Sequence, residues 1–216
     1  MQCKICHKEV VHFFDDYMKV DTYHCKACVF MFKDTNAIIS KEKELEVYQQ
    51  HINSEENLGY FAMFQEFIDK TFAPYEENIK DVLEFGSGPT PVLASILKKR
   101  GLEVDIYDKF FAPEKVYQDK QYDLITSTEV IEHIADVEEL FQFFATHIKP
   151  QGYLALMTQF HPNDPEPYLK WWYRRDPTHI TFYHPETFNV LAKKFGFRLL
   201  FCDDKKNVLL QKNSYL

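Results

Sequence analysis

No run of about 18 apolar residues occurs in these 216 residues, so the sequence offers no transmembrane helix. It opens on Cys3 and Cys6, not on a charged region followed by an apolar core, so no signal peptide is expected and the expected location is cytoplasmic. An excess of basic residues is also missing. The net charge is −8, which counts against wrapping nucleic acid or lying on an anionic membrane, because Lys and Arg carry the sequence-independent part of such binding. What is present suits an ordinary globular protein: 45% hydrophobic residues can fill the core of one full α/β domain with a small appendage. The aromatic content is high, with 20 Phe and 13 Tyr, enough for a core and for the walls of a pocket.

Four of the five cysteines fall in two pairs, Cys3-x-x-Cys6 and Cys25-x-x-Cys28, with 18 residues between them. This is zinc-ribbon spacing. Each pair places two thiolates on one knuckle, and two knuckles complete a tetrahedral site with no position left for chemistry, so a structural zinc is expected. Two disulfides are disfavoured in a reducing compartment, and free thiols leave the spacing unexplained. His7 and His24 flank the knuckles as spare ligands, and Cys202 lies in an apolar stretch that reads as core. The ribbon, residues 1–35, balances Lys4, Lys8, Lys19, Lys26 and Lys33 against Glu9, Asp15, Asp16, Asp21 and Asp34. Nothing there recommends nucleic acid; a protein contact or a lid over the following domain is the better expectation.

Residues 36–76 read as a helical connector, with one helix over 40–50 and another over 58–72 that Pro74 ends; Tyr48 and Tyr60 are candidate pocket walls. A domain over 77–216 follows. Its pivot is VLEFGSGPTP at 82–91, an apolar strand, a turn with Gly86 and Gly88, and a helix over 92–99. A second strand, 103–107, ends in Asp108, about 20 residues past the glycine turn, where a carboxylate accepts hydrogen bonds from a ribose diol. Only 14 residues separate Asp108 from Asp123, so the usual third βα unit must be short or irregular. Further strands at 122–126 and 153–157 flank a helix at 137–147, and strands at 197–202 and 208–211 form a closing antiparallel pair. The alternation argues for a mostly parallel Rossmann-like α/β sheet with helices on both faces.

A nucleotide turn would carry a third glycine for pyrophosphate, and Pro89 stands after Gly88 instead. With Glu84 in the strand ahead of the glycines, the turn resembles motif I of class I S-adenosylmethionine-dependent methyltransferases. YDLITSTEVIEHI at 122–134, IKPQGYLALMT at 148–158 and WWYRRDPTHITFY at 171–183 extend the resemblance to the group with an N-terminal CxxC/CxxC ribbon, similar to ubiquinone-biosynthesis methyltransferases. The resemblance implies a seven-stranded sheet and S-adenosylmethionine as cofactor, held by Glu84, Phe85, Gly86, Ser87, Gly88, Asp108, Lys109, Thr128 and Glu129. It does not imply the methyl acceptor.

Glu129, Glu132 and His133 follow the strand that ends at 126, and a helical turn would bring them near one point, with His179 as a further catalytic candidate. Two carboxylates and imidazoles suit a divalent metal that acidifies a hydroxyl. The Glu-x-x-Glu-His segment is similar to that of ubiquinone-biosynthesis and small-RNA 2′-O-methyltransferases, which implies a magnesium site at Glu129, Glu132 and His133; bracing of the sheet by Glu132 and packing of His133 is the competing reading. His179 reads as a general base or as a loop hydrogen bond. Trp171, Trp172 and Tyr173 with Arg174 and Arg175 read as a wall for a planar or anionic acceptor, or as a surface helix. The expectation is a methyltransferase acting on a small molecule at oxygen. A ribbon protein whose methyltransferase-like domain recognises a protein or nucleic-acid partner without turnover is the alternative, and an NAD-dependent oxidoreductase comes third.

Overall fold

The structure, a computed structural model, describes residues 1–50 and 58–214; the connector residues 51–57 and the last two residues of the expected domain lie outside them. Three strands, β1 (Val11–Asp15), β2 (Val20–Cys25) and β3 (Phe30–Lys33), form an antiparallel ribbon. The Cys3 and Cys28 sulfurs lie 3.5 Å apart and those of Cys6 and Cys25 3.4 Å. All four lie within 4.8 Å of one another, close to the roughly 3.8 Å edge of a tetrahedron of thiolates about 2.3 Å from zinc. The cluster fits a zinc ribbon.

Helices α1 (Lys41–Gln50) and α2 (Leu58–Lys70) follow. α2 stops two residues earlier than the pattern predicts, and Pro74 falls inside a 3-10 helix, Ala73–Asn78, where its missing N–H costs little. Next come β4 (Asp81–Phe85), α3 (Val92–Lys99), β5 (Glu103–Tyr107), β6 (Tyr122–Thr128), α4 (Val137–His147) and β7 (Ile148–Met157). The chain then runs through α5 (Pro165–Lys170), the two-residue strand β8 (Thr181–Phe182) and α6 (Pro185–Lys194), and closes with β9 (Phe197–Cys202) and β10 (Asn207–Lys212).

The main sheet has the order β5-β4-β6-β7-β10-β9, with β5, β4, β6 and β7 parallel and β10 antiparallel to both its neighbours. It has six strands among the described residues, not the seven that the resemblance implies. Residues 108–121 are too few for a strand and a helix and are spent on turns, one of them closed by paired bonds between Asp108 and Ala112. β7 starts five residues earlier than predicted: Lys149 to Gly152 form an irregularity inside one strand, with Gln151 at φ 65°, where a separate turn was expected.

Why the strands read as unbroken apolar runs is visible in their packing. Leu83, Ile125, Leu154, Leu156, Val208 and Leu210 face a core built with α4 and α6. Their chain neighbours Val82, Leu124, Ala155 and Leu209 face the opposite core, built with α2 and α3. The first core also takes in Cys3, Ile5, Cys25, Cys28, Phe30 and Phe32, so the ribbon is packed on the sheet's helices. Backbone bonds join it too: β3 pairs with β8, Met31 opposite Phe182 and Phe32 opposite Thr181, so a strand from the C-terminal half completes the ribbon's sheet. No helix among the described residues is long and apolar enough to cross a membrane.

The two arginines expected on an acceptor wall are elsewhere. Arg174 is buried; its guanidinium meets the equally buried Asp15 of the ribbon at 2.7 Å and donates to the carbonyls of Tyr168 (3.0 Å) and Leu169. Arg175 lies over the ring of Tyr17, 5.1 Å from its centre. Lys33, also buried, donates to the carbonyls of Arg174 (2.9 Å) and Asp176 (3.1 Å). A charge buried this deeply holds only with its partner in place. Arg174→Met is therefore expected to lower stability in urea unfolding by about 3 kcal/mol or more, and Arg175→Met by less than about 0.5 kcal/mol. Equal effects of the two would contradict this placement.

Candidate active site

Parallel strands leave a crevice at their carboxyl ends, and here the ends of β4, β5 and β6 open into a cavity of about 490 Å³. Its floor is the turn after β4. Gly86 and Gly88 have φ of 84° and 66°, a region open to glycine and costly for other residues. They serve different purposes. A Cβ at Gly86 would come within 2.2 Å of the Val130 side chain, so this glycine admits the next strand's loop. A Cβ at Gly88 would meet nothing within 4 Å, so its absence keeps the cavity open.

The N–H groups of the turn are engaged internally. Gly86 and Ser87 donate to the carbonyl of Tyr107 (2.7 and 3.3 Å), and Gly88 donates to Asp108 Oδ2 (3.0 Å). Asp108 Oδ1 accepts from the N–H groups of Phe110 and Phe111 (2.8 and 3.0 Å). The carboxylate thus locks the second strand's end against the first, and lines the cavity as it does so. Glu84 is buried, and its Oε2 accepts from the Ala94 N–H (2.9 Å) in the first turn of α3, next to the positive end of the helix dipole. Burial still pushes its carboxyl up to about 8. Phe85, Ser87, Lys109, Thr128 and Glu129 line the same cavity, so all nine residues expected at a cofactor meet in one place. Lys109 turns its ammonium to Glu44 Oε1 at 2.6 Å, which also accepts from the Tyr48 hydroxyl (2.7 Å); this fastens α1 across the cavity. Tyr48 and Tyr60 are both in the wall.

Beside the glycine turn stands the group from EVIEH, whose Val130 packs against Gly86. No α-helical turn forms there: Glu129 has φ 55° and Ile131–His133 is a single 3-10 turn. The consequence is a different grouping from the expected one. The Tyr173 hydroxyl reaches both Glu129 Oε2 (2.8 Å) and Glu132 Oε1. It has one proton to give, so the second contact is made by the proton of a neutral carboxyl. Burial pushes Glu132 up to about 8, helped by the charge of Glu129, and burial raises Glu129 as well. Sequence reasoning places Tyr173 in an aromatic wall; that its hydroxyl joins the two acids depends on a fold contact across some 40 residues, and no local signal carries it.

His133 and His179 each turn Nδ1 to a backbone carbonyl, of Thr178 (3.2 Å) and Tyr173 (2.8 Å). A carbonyl only accepts, so Nδ1 carries the proton and Nε2 the lone pair in each ring. Burial, with His179 nearby, holds His133 neutral, down to about 3. Asp176 stands 3.9 Å from His179 Nε2. Burial raises the Asp176 carboxyl, but the nearness of His179 and the bonds from Thr178 outweigh this and keep it low.

One atom each from Glu132, His133 and His179 lie within 4.8 Å of one another. This is not the magnesium set expected at Glu129, Glu132 and His133. Glu129 is tied to Tyr173, and two imidazole nitrogens with one oxygen do not fit magnesium, which takes an octahedron of oxygens.

Residues 57–200 match the family described as a methyltransferase domain. The chain belongs to this family. No curated protein matches this chain. Among solved structures, an O-methyltransferase family protein from Burkholderia thailandensis is similar with a TM-score of 0.57 at 11% identity, over 79% of this chain and 63% of that one. Human N-acetylserotonin methyltransferase in complex with SAM gives 0.56 at 17%, over 83% and 61%. An Archaeoglobus fulgidus SAM-dependent methyltransferase gives 0.56 at 18%, over 78% and 99%. The chain thus spans less than two thirds of the length of the first two, and at these identities the likeness is one of fold.

The cavity fits a methyl donor by its own features. It has the volume of a small-molecule site, an open floor at Gly88, and two buried lining oxygens without partners, Ser87 Oγ and Glu129 Oε1. The buried acids also set a pH dependence. Glu84 and Glu132 hold protons up to about pH 8 when folded and release them near 4.5 when unfolded, so their contribution is complete at low pH and is lost as pH rises towards 8. His133 and His161, held down to about 3 and about 4 by burial, act in the opposite sense below about pH 6.5. Stability of the ligand-free chain should therefore fall between about pH 6.5 and 8 in urea titrations, and Glu84→Gln should flatten that fall. An unchanged slope in the variant would refute the buried, protonated state of Glu84.

Proposed function

We propose that this methyltransferase uses S-adenosylmethionine to methylate a hydroxyl of a small molecule. The observation that carries the reading is one cavity lined both by the open glycine turn with Asp108 and by His133 and His179, with Glu132 buried behind the two imidazoles. Glu84, Phe85, Gly86, Ser87, Gly88, Asp108, Lys109, Thr128 and Glu129 hold the donor, and Glu129, Glu132, His133 and His179 face the acceptor. When bound, S-adenosylmethionine supplies an electrophilic methyl group on a sulfonium sulfur.

The remaining work is positioning and proton removal. His179 is the base: its Nδ1–H is fixed on the Tyr173 carbonyl, so Nε2 takes the acceptor's proton while the acceptor oxygen forms its bond to the methyl carbon and the sulfur–carbon bond breaks. Asp176 steadies the imidazolium that results. His133 lines the same cavity, where its Nε2 would accept from a second hydroxyl of the acceptor, and Glu132 is buried behind it. Cys3, Cys6, Cys25 and Cys28 bind a structural zinc, which four thiolates close to chemistry.

Calorimetry with S-adenosylhomocysteine and methyl transfer from labelled S-adenosylmethionine to hydroxylated acceptors test the reading. Binding and transfer are expected, with His179→Ala lowering kcat by about 10²-fold or more and leaving S-adenosylhomocysteine affinity within about threefold. Absence of S-adenosylhomocysteine binding would overturn the reading and return the ribbon-based binding protein.

A further inference from the structure

Charge pairing around the cavity bears on the kind of acceptor it takes. Among the described lining residues, Lys109 is the one side chain with a fixed positive charge, and its ammonium is taken up by Glu44 and by the ring of Phe110, 4.9 Å from the ring centre. Two cations behind the wall are spent elsewhere, Arg174 on Asp15 and two carbonyls and Lys33 on the carbonyls of Arg174 and Asp176, and Lys206, whose charge reaches Glu129, does not line the cavity. Acids are plentiful by contrast. Glu129 and Asp176 line the acceptor side, with Glu132 buried next to them. Glu129 Oε1 and Glu132 Oε2 are buried oxygens without a hydrogen-bond partner.

Oxygens in that state call for donors, and an anionic group placed among them would lose its water with no cation to replace it. The walls add to the same preference. Phe110, Phe111, Tyr173 and the largely exposed Trp172 are in the lining, and aromatic rings attract cations and stack on flat rings.

Resting on the reading of this cavity as a methyl-acceptor site, we infer that the acceptor is a planar hydroxylated compound with no acidic group, and that a basic group on it strengthens binding. This reverses the anionic acceptor that Arg174 and Arg175 suggest in sequence. It commits the site to a substrate class, phenols or catechols bearing neutral or amine substituents.

The test uses three probes that share a 3,4-dihydroxyphenyl ring and differ in one substituent: 3,4-dihydroxybenzoate, 3,4-dihydroxybenzamide and 3,4-dihydroxybenzylamine. Each is titrated at pH 7.5 against the full, zinc-loaded chain with and without S-adenosylhomocysteine, and each is then offered for methyl transfer. The amine should bind at least about tenfold more tightly than the carboxylate, with the amide between, and Glu129→Gln should shrink the ratio of amine to amide affinity. Equal or tighter binding of the carboxylate, or no binding of any probe, would overturn the inference. If the predicted order holds with no methyl transferred, the charge preference stands and the O-methylation reading falls.

Discussion

The backbone pairing of β3 with β8 is the constraint on which the acceptor side of the site depends. Those two residues, Thr181 and Phe182, are too few to hold a strand alone, yet they carry the wall of the cavity with them. On one side they pair with Met31 and Phe32 of the ribbon. On the other, the Ile180 N–H donates to the carbonyl of Glu132 (2.9 Å), and the Thr181 hydroxyl donates to the carbonyl of Ile131 (3.0 Å). The Lys33 N–H donates to the Ile180 carbonyl (2.9 Å), and its ammonium fixes the segment that holds Tyr173 and Asp176. The four-cysteine cluster therefore braces, through a few backbone bonds, the turn that presents Glu132 and His133. A short segment with little core of its own gains order from such a metal site, and the order is passed to the neighbouring wall.

The second constraint is electrostatic. Two buried carboxyls, Glu84 and Glu132, and the half-buried Glu129 stand around one cavity, and the charges of Lys98 and Lys206, which reach Glu84 and Glu129, do not line it. Burial raises all three carboxyls, and a cation entering beside them would favour their charged forms. A sulfonium is a cation, and so is a protonated amine. The proposed preferences for a cationic donor and a basic acceptor rest on the same acids. The left-handed backbone at Glu129 is consistent with this: strain of that kind persists where surrounding bonds over-determine it, here the Glu129 N–H on the Met157 carbonyl (2.7 Å) and the side chain on Tyr173.

Much of the fold is legible in the chain because its signals are local. The glycine turn, Asp108 at the end of the second strand, and the cysteine spacing each depend on neighbours within a few residues or on a fixed interval. The helices at 92–99 and 137–147 show their period directly. What is not legible depends on distant partners. Arg174 looks like a free guanidinium until Asp15, 159 positions away, is seen against it. Tyr173 reads as one aromatic among several until its hydroxyl meets two glutamates. The grouping of Glu132 with His133 and His179, and not with Glu129, turns on one backbone dihedral that no periodicity encodes. The sixth-strand limit of the sheet, by contrast, was visible as a shortage of residues between Asp108 and Asp123, even though the resemblance implied seven strands.

Hydrogen exchange of the zinc-loaded and zinc-stripped chain measures the bracing most directly, with the β4 amides of Val82 to Glu84 as the control for global unfolding. The expected result is that stripping zinc exposes the Ile180 amide and those of His133 and Ile134, while β4 keeps its protection. Loss of protection confined to residues 1–33, with the turn at 131–134 as protected as before, would contradict the dependence of the acceptor wall on the ribbon.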